Sequence, residues 1–166
     1  MKAILSRHSV RRYSDKEIPE SQLMEILHAG MSALSAMGSR PWHFILVTDR
    51  ERLEGVAEIH PYAQMSKQAS AGILVCGEPS KETFEMYFQQ NCSAAVENIL
   101  IAVSSFGLGS VWVGWYPNAT HVKNFKEYFK LPEGIEPFAW VPIGHLLEPA
   151  RPDNRLDLTM VHRNIW

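Results

Sequence analysis

Asn91-Cys92-Ser93-Ala94-Ala95-Val96-Glu97-Asn98-Ile99-Leu100-Ile101-Ala102-Val103-Ser104-Ser105-Phe106-Gly107 forms most of a helix expected over residues 84–106, and between Cys92 and Val103 it is apolar on nearly every face. A helix apolar all round is buried all round. In a chain of 166 residues one enclosed central helix needs more cover than a single copy offers, so a second subunit is expected over part of it. The apolar run from Ala94 is interrupted by Glu97 and Asn98 and falls short of the roughly 18 residues of a membrane span. It is a core helix, and no membrane association is expected. Gly107 closes it as a C-terminal cap. Glu97 and Asn98 are the interior polar pair that must find partners, with a structural hydrogen-bonding role favoured over acid/base chemistry.

Outward from this helix the pattern alternates. Pro19-Glu20-Ser21 opens an earlier helix by the preference for proline in the first turn, and Leu23, Ile26, Leu27 and Leu34 recur at helical spacing. Gly38 and Pro41 end it, leaving a loop of small residues, Leu34-Ser35-Ala36-Met37-Gly38-Ser39-Arg40-Pro41-Trp42, that permits close backbone approach. His43-Phe44-Ile45-Leu46-Val47-Thr48 and Ile73-Leu74-Val75-Cys76 read as short buried strands. Asp49 caps a helix to about residue 59, and His60-Pro61 stops it. Ser110-Val111-Trp112-Val113-Gly114-Trp115 makes a third strand. Thr120 caps a helix bearing Val122, Phe125, Tyr128 and Phe129, and residues 138–146 make a fourth strand. Four strands interleaved with helices give an α/β or α+β sandwich whose topology the pattern alone leaves open.

Hydrophobic residues are 46% and charged residues 20% of the chain, with net charge −2, as expected of one globular domain over residues 1–166. A slightly negative chain lacks the basic field of a nucleic-acid binder. Cys76 and Cys92 belong to no metal-ligand cluster and read as buried thiols of a reducing compartment. The seven histidines show no repeated ligand spacing, so no metal is expected. The opening residues reach Arg7 after too short an apolar run for a signal peptide, and a cytoplasmic location is expected. Nucleotide-binding glycine loops, the nucleophile elbow and the zinc-protease helix are missing. Phe106-Gly107-Leu108-Gly109-Ser110 follows a helix and precedes a strand, which suits a tight turn and not a phosphate cradle.

The remaining chemistry lies in Ser6-Arg7-His8-Ser9-Val10-Arg11-Arg12-Tyr13, where three guanidiniums and two small hydroxyls ask for an anion. If this stretch is helical, Arg7 and Arg11 stand one turn apart, at a like-charge cost of about 0.2–0.5 kcal/mol that a bound phosphate would reverse. A solvated basic patch is the competing reading.

Taken in order, Arg7-His8-Ser9-Val10-Arg11, Ser35 through Pro41-Trp42-His43-Phe44, Asn91-Cys92-Ser93-Ala94-Ala95 with Glu97-Asn98, and Gly107-Leu108-Gly109 make the sequence resemble the nitroreductase family of flavin enzymes over essentially its whole length. The resemblance implies a mixed α+β sandwich, a central sheet flanked by helices, in a domain-swapped homodimer with an FMN at each subunit interface. Residues 147–166 would be an arm docking on the partner. Arg7 and Ser9 match residues that hold the FMN phosphate, with the His8 backbone near the ribityl chain. Arg11 matches a cation at the ribityl and the N1–O2 edge of the flavin. Ser35, Ala36 and Gly38, through Arg40, match a loop reaching the flavin from the other subunit. The backbone around Val113-Gly114 matches the stretch that faces the reactive N5 edge. Arg151 and Arg155 sit where the tail returns a second cation to the phosphate, Arg155 being preferred. Arg12 is left as a structural or surface charge. Trp42, Trp112 and Trp115 read first as core and second as pocket lining.

The implied activity is FMN-dependent NAD(P)H oxidoreduction of nitroaromatic, quinone or similar planar acceptors by a ping-pong hydride mechanism, with no catalytic side chain, because N5 carries the chemistry. A non-catalytic FMN-binding protein, for storage or sensing, is the alternative. Leu34, Ala36, Gly38 and Arg40 stand where the family loop commonly has proline, serine, asparagine and glutamine. With no long insertion to roof the site, an open pocket and loose substrate choice are expected.

Overall fold

The computed structural model describes residues 1–149 and 155–166. A short helix α1 (Lys2–Ser6) leads through an extended basic stretch into strand β1 (Tyr13–Ser14). Then come α2 (Glu20–Met31), β2 (Trp42–Val47), α3 (Arg50–Ile59), β3 (Ala71–Gly77) and α4 (Tyr87–Ser105). Strands β4 (Leu108–Ser110) and β5 (Val113–Gly114), helix α5 (Ala119–Phe129) and the long strand β6 (Glu136–Leu146) complete the order. A 3-10 segment, Pro61–Gln68, separates α3 from β3.

Strand β6 is the axis of an antiparallel sheet. Its residues pair on both edges: Ile143 with Ala71 and Ser110, Trp140 with Leu74 and Val113, His145 with Ser14 and Leu108. Strand β2 completes the sheet beyond β3. All seven residues of β3 are buried, because helices cover both faces and alternate side chains enter opposite cores. Ile73 and Val75 join α2 and α4 on one side, whereas Leu74 and Cys76 meet α3 and α5 on the other. The observed fold is thus the α+β sandwich, with helices on both faces of the sheet.

Several expectations need correction. The third strand is two strands, broken at Val111-Trp112. Proline explains the break. The Ile143 carbonyl accepts from Ser70 N–H on the β3 edge, and successive residues of a strand turn their polar groups to opposite edges. Pro142 therefore faces the β4–β5 edge, opposite the break, with no N–H to continue the ladder. The basic segment is not helical beyond Ser6, since Arg7 is extended (φ −61°, ψ 126°) and Val10 N–H is drawn to the Ser110 carbonyl at 2.9 Å. Asn118, not Thr120, caps α5, its carboxamide oxygen accepting from Thr120 and His121 N–H. Asp49 does cap α3, and Gly107 ends α4 at φ +72°.

Helix α4 is not enclosed within one chain. Cys92, Ala95, Val96, Ile99 and Val103 are fully buried, but Ala94, Asn98, Ile101 and Ala102 are half-covered and Glu97 is exposed. Cys76 and Cys92 are buried free thiols, and burial pushes the Cys76 thiol up to about 12. Of the arm expected over residues 147–166, residues 155–166 are exposed on this chain; Arg151 lies outside the described residues.

His60 is 1% exposed, its ring centroid 4.3 Å from that of His121 and 5.6 Å from that of Trp115. Its Nδ1 accepts the Tyr62 N–H at 3.3 Å. Burial, and then the neighbouring His121, lower its pKa from 6.5 to about 4. The unfolded chain therefore takes up a proton that the folded one refuses between those values. The stability this residue contributes is complete above pH 6.5 and is lost progressively as pH falls toward 4. The urea midpoint should decline across that window, and His60→Phe should flatten the decline; equal slopes in both proteins would contradict the assignment.

Candidate flavin site

The segment after α1 is fixed by its middle residue. Val10 donates its N–H to Ser110, and its carbonyl accepts the Tyr13 hydroxyl at 2.7 Å. That hydroxyl also lies 3.3 Å from the Pro142 carbonyl, and burial raises the pKa of Tyr13 so that it stays a donor. Ser9 and Arg11 thus flank a residue pinned at both backbone groups.

Two cavities meet at Arg11. One, of about 500 Å³, is lined by His8, Ser9, Arg11, Arg12 and Arg155, with Leu146 to Pro149 as its floor. The other, of about 450 Å³, is lined by Arg11, Tyr62, Gln64, Met65 and the run Val111 to Gly114. The first is a basic recess with a hydroxyl. The second has a flat wall: the Val113 side chain is packed in the core, and Gly114 is exposed where a Cβ would lie 2.9 Å from the Trp112 indole nitrogen. A larger residue at 114 would push on that wall.

The structure thus brings His8, Ser9, Arg11, Val113, Gly114 and Arg155 around one continuous region. Arg7 lies apart from the larger cavities, in a recess of about 40 Å³ with Ser6, His8 and Ser104, and its Nε is 3.5 Å from Glu97. Glu97 is therefore an exposed partner of Arg7, not a buried carboxylate. Asn98 takes the structural role expected, donating to the Ala29 carbonyl at 3.0 Å. Arg12, read as a surface charge, lines the basic cavity. Trp42 and Trp115 are core residues, Trp115 stacking on Phe125 at 3.8 Å, whereas Trp112 lines the flat cavity.

Ser35, Ala36 and Gly38 line neither cavity. Their loop is tied to the other end of α4, where Asn91 accepts the Ala36 N–H at 3.0 Å, while α1 is tied near its C-terminus, where Ser104 donates to the Ala3 carbonyl. Thirteen helical residues, about 20 Å of axis, separate these anchors. Asn91 is the buried polar residue of α4, at 3% exposure; sequence reasoning fixed on Glu97 and Asn98 instead. The sequence reading gives no role to Tyr62, Gln64 or Met65, and none of its own to Tyr13. The only available signal was Tyr13 beside the arginines, since Pro61 to Gln68 has no regular period. Among the described residues no group of histidine, cysteine and carboxylate side chains could hold a metal, and no helix is long and apolar enough to cross a membrane.

Comparison with known proteins addresses the family and the fold. The model of the nitroreductase family matches residues 4–79 and 61–145. A provisionally named NADH dehydrogenase/NAD(P)H nitroreductase of Methanothermobacter thermautotrophicus is 41% identical, over 100% of this chain and 87% of its own. A solved structure of a protein given the same provisional name, from Bacteroides thetaiotaomicron, superposes with a TM-score of 0.93 at 38% identity, covering 99% of this chain and 96% of that one. An FMN-dependent nitroreductase of Clostridium difficile superposes at 0.90 with 28% identity over the full length of both. With sequence and fold shared from end to end, the chain belongs to the nitroreductase family.

Proposed function

We propose that the protein is an FMN-dependent NAD(P)H oxidoreductase acting on nitroaromatic, quinone or similar planar acceptors. The observation that carries this reading is the position of Arg11 at the junction of a basic recess and a flat-walled cavity. An elongated ligand with an anionic end and a planar end fits that pair. FMN is such a ligand, and a structural relative is named as FMN-dependent. Bound FMN would supply hydride acceptance and donation in alternating half-reactions, by a ping-pong scheme.

The chain's own residues then hold and orient. Ser9, with His8 and Arg155 in the same recess, would take the phosphate, joined by Arg7 as its guanidinium turns from Glu97. Guanidinium forks suit phosphate better than a point charge does. Arg11 would lie between ribityl and ring, where a cation favours negative charge on the reduced ring edge. The Val113–Gly114 backbone and Trp112 would form the ring wall and exclude water from one face. Ser35, Ala36 and Gly38 would come from a second copy, because in one chain they lie at the far end of α4. The same homodimer would cover the half-exposed stripe of α4 and receive the arm of residues 147–166.

Purified protein should be yellow, and anaerobic addition of NADH or NADPH should bleach the flavin band. A band bleached by neither nucleotide would sink the reductase reading and favour a non-catalytic flavin carrier. Arg7→Ala should weaken FMN binding by about 1.5–3 kcal/mol, the worth of a charge-assisted hydrogen bond, measured by fluorescence titration; an unchanged affinity would remove Arg7 from the phosphate site. Arg11→Gln should lower the flavin midpoint potential, since it withdraws a cation from the reduced ring. Spectroelectrochemistry giving an equal or higher potential would contradict that placement.

A further inference from the structure

We propose that Asn91 and Glu82 are positioning residues for the flavin, acting through the loop that carries Ser35, Ala36 and Gly38. The proposal rests on the FMN reading above and deepens it. The loop has a shape it would not keep unaided: Met37, Gly38 and Arg40 all have left-handed backbone, at φ 54°, 70° and 46°, and two of the three bear side chains that disfavour it. Burial does not impose this shape, because Leu34 is 79% and Met37 82% exposed. Hydrogen bonds do, both within the loop, where Gly38 N–H meets the Ser35 carbonyl and Ser39 N–H the Ala36 carbonyl, and from outside it.

The buried Asn91 carboxamide is the centre of those from outside. Its oxygen accepts the Ala36 N–H at 3.0 Å. Its nitrogen donates to Glu82 Oε1 at 2.6 Å and to Ser39 Oγ at 3.3 Å, and the Ser39 hydroxyl donates to the same Glu82 oxygen at 3.0 Å. One amide and one carboxylate therefore grip the loop at residues 36 and 39, on both sides of its left-handed turn. Within it, Ser35 Oγ accepts the Arg40 N–H at 3.0 Å. A loop fixed in advance spares the cofactor the entropy of ordering it; a loop released from this grip would have to be ordered by the flavin itself.

Donor and acceptor roles in this network can be exchanged, and that supplies the test. Asn91→Asp keeps the acceptor for Ala36 but sets a carboxylate against Glu82. Adding Glu82→Gln restores the bond with its polarity reversed, Gln donating to Asp. FMN dissociation constants, measured on the purified full chain by flavin fluorescence, should rise roughly tenfold or more in Asn91→Asp, as for a lost charge-assisted hydrogen bond. In the double variant they should return to within about threefold of wild type, beyond the usual error of additivity. Rescue by reversed polarity is not expected of a residue that merely fills space. Should Asn91→Asp fail to fold, Glu82→Ala, at a half-buried position, should weaken FMN binding in a protein that still melts in one cooperative transition. Wild-type protein that binds no FMN would overturn both the cofactor reading and this one. Wild-type binding with unchanged constants in the variants, or a double variant no tighter than Asn91→Asp, would overturn the positioning role alone.

Discussion

A strand buried on both faces must satisfy its backbone through its two edges, and β6 is that strand. It takes β3 and β1 along one edge and β4 and β5 along the other. The basic segment, the flat wall and the floor of the basic cavity follow from this demand. The β4 end at Ser110 captures Val10 and so places the basic segment. Strand β5 is held against Trp140 and Ala139 and becomes the flat wall. The residues that follow β6, Leu147 to Pro149, floor the basic cavity. Pro142, unable to donate on the β4–β5 edge, opens the gap at which Trp112 leaves the ladder to line the flat cavity. A proline placed where the ladder has to break thereby gives the wall its aromatic face.

The extended form of residues 7–12 alters what their charges can do. On a helix, Arg7 and Arg11 would share one face and one small anion. In extended chain, four residues span about 13 Å, and the two guanidiniums reach different surroundings. Arg7 meets Glu97 on α4, while Arg11 reaches the junction of the cavities. Such spacing suits a ligand with two separated electron-rich ends better than a lone phosphate. The pairing with Glu97 also keeps Arg7 near α4.

Legibility in the sequence followed the physics of each signal. Helices α2 and α4 and strands β2 and β3 were readable because burial leaves a periodic or continuous apolar trace. Asp49 and Gly107 were readable because a cap needs a particular side chain or a positive φ. Asn118 was missed in favour of Thr120 since both types cap, and the two-position offset shows only in which side chain accepts the first helical N–H groups. Strands β1 and β5, two residues each, carry no period at all and exist because β6 has edge groups to satisfy. The cavity-lining run from Pro61 to Gln68 was invisible for a similar reason. Its place comes from the buried His60 and from packing on α3, not from its own pattern. Motif order supplied what periodicity could not: the grouping of Ser9, Arg11, Val113 and Gly114 into one region.

Three features of one chain have separate local causes and a common remedy. The stripe of Ala94, Asn98, Ile101 and Ala102 on α4 is half-covered because α2 and the sheet occupy only part of the helix surface. The loop at residues 35–40 is hydrogen-bonded to Asn91 and Glu82 yet presents Leu34 and Met37 to solvent. Residues 155–166 are exposed along their whole length, ending in Ile165 at 82% and Trp166 at 97%. Any one of these would be unremarkable, since singly exposed apolar residues are common. Together they put a half-covered helix face, a hydrogen-bonded loop with exposed apolar residues and an exposed arm with an apolar end on one chain. On the proposed reading a second copy related by a two-fold axis would meet all three at once, because an isologous contact gives each chain the same patch that it receives. On the proposed reading the flavin lies along that contact, so that burying α4 and completing the cofactor site become a single event.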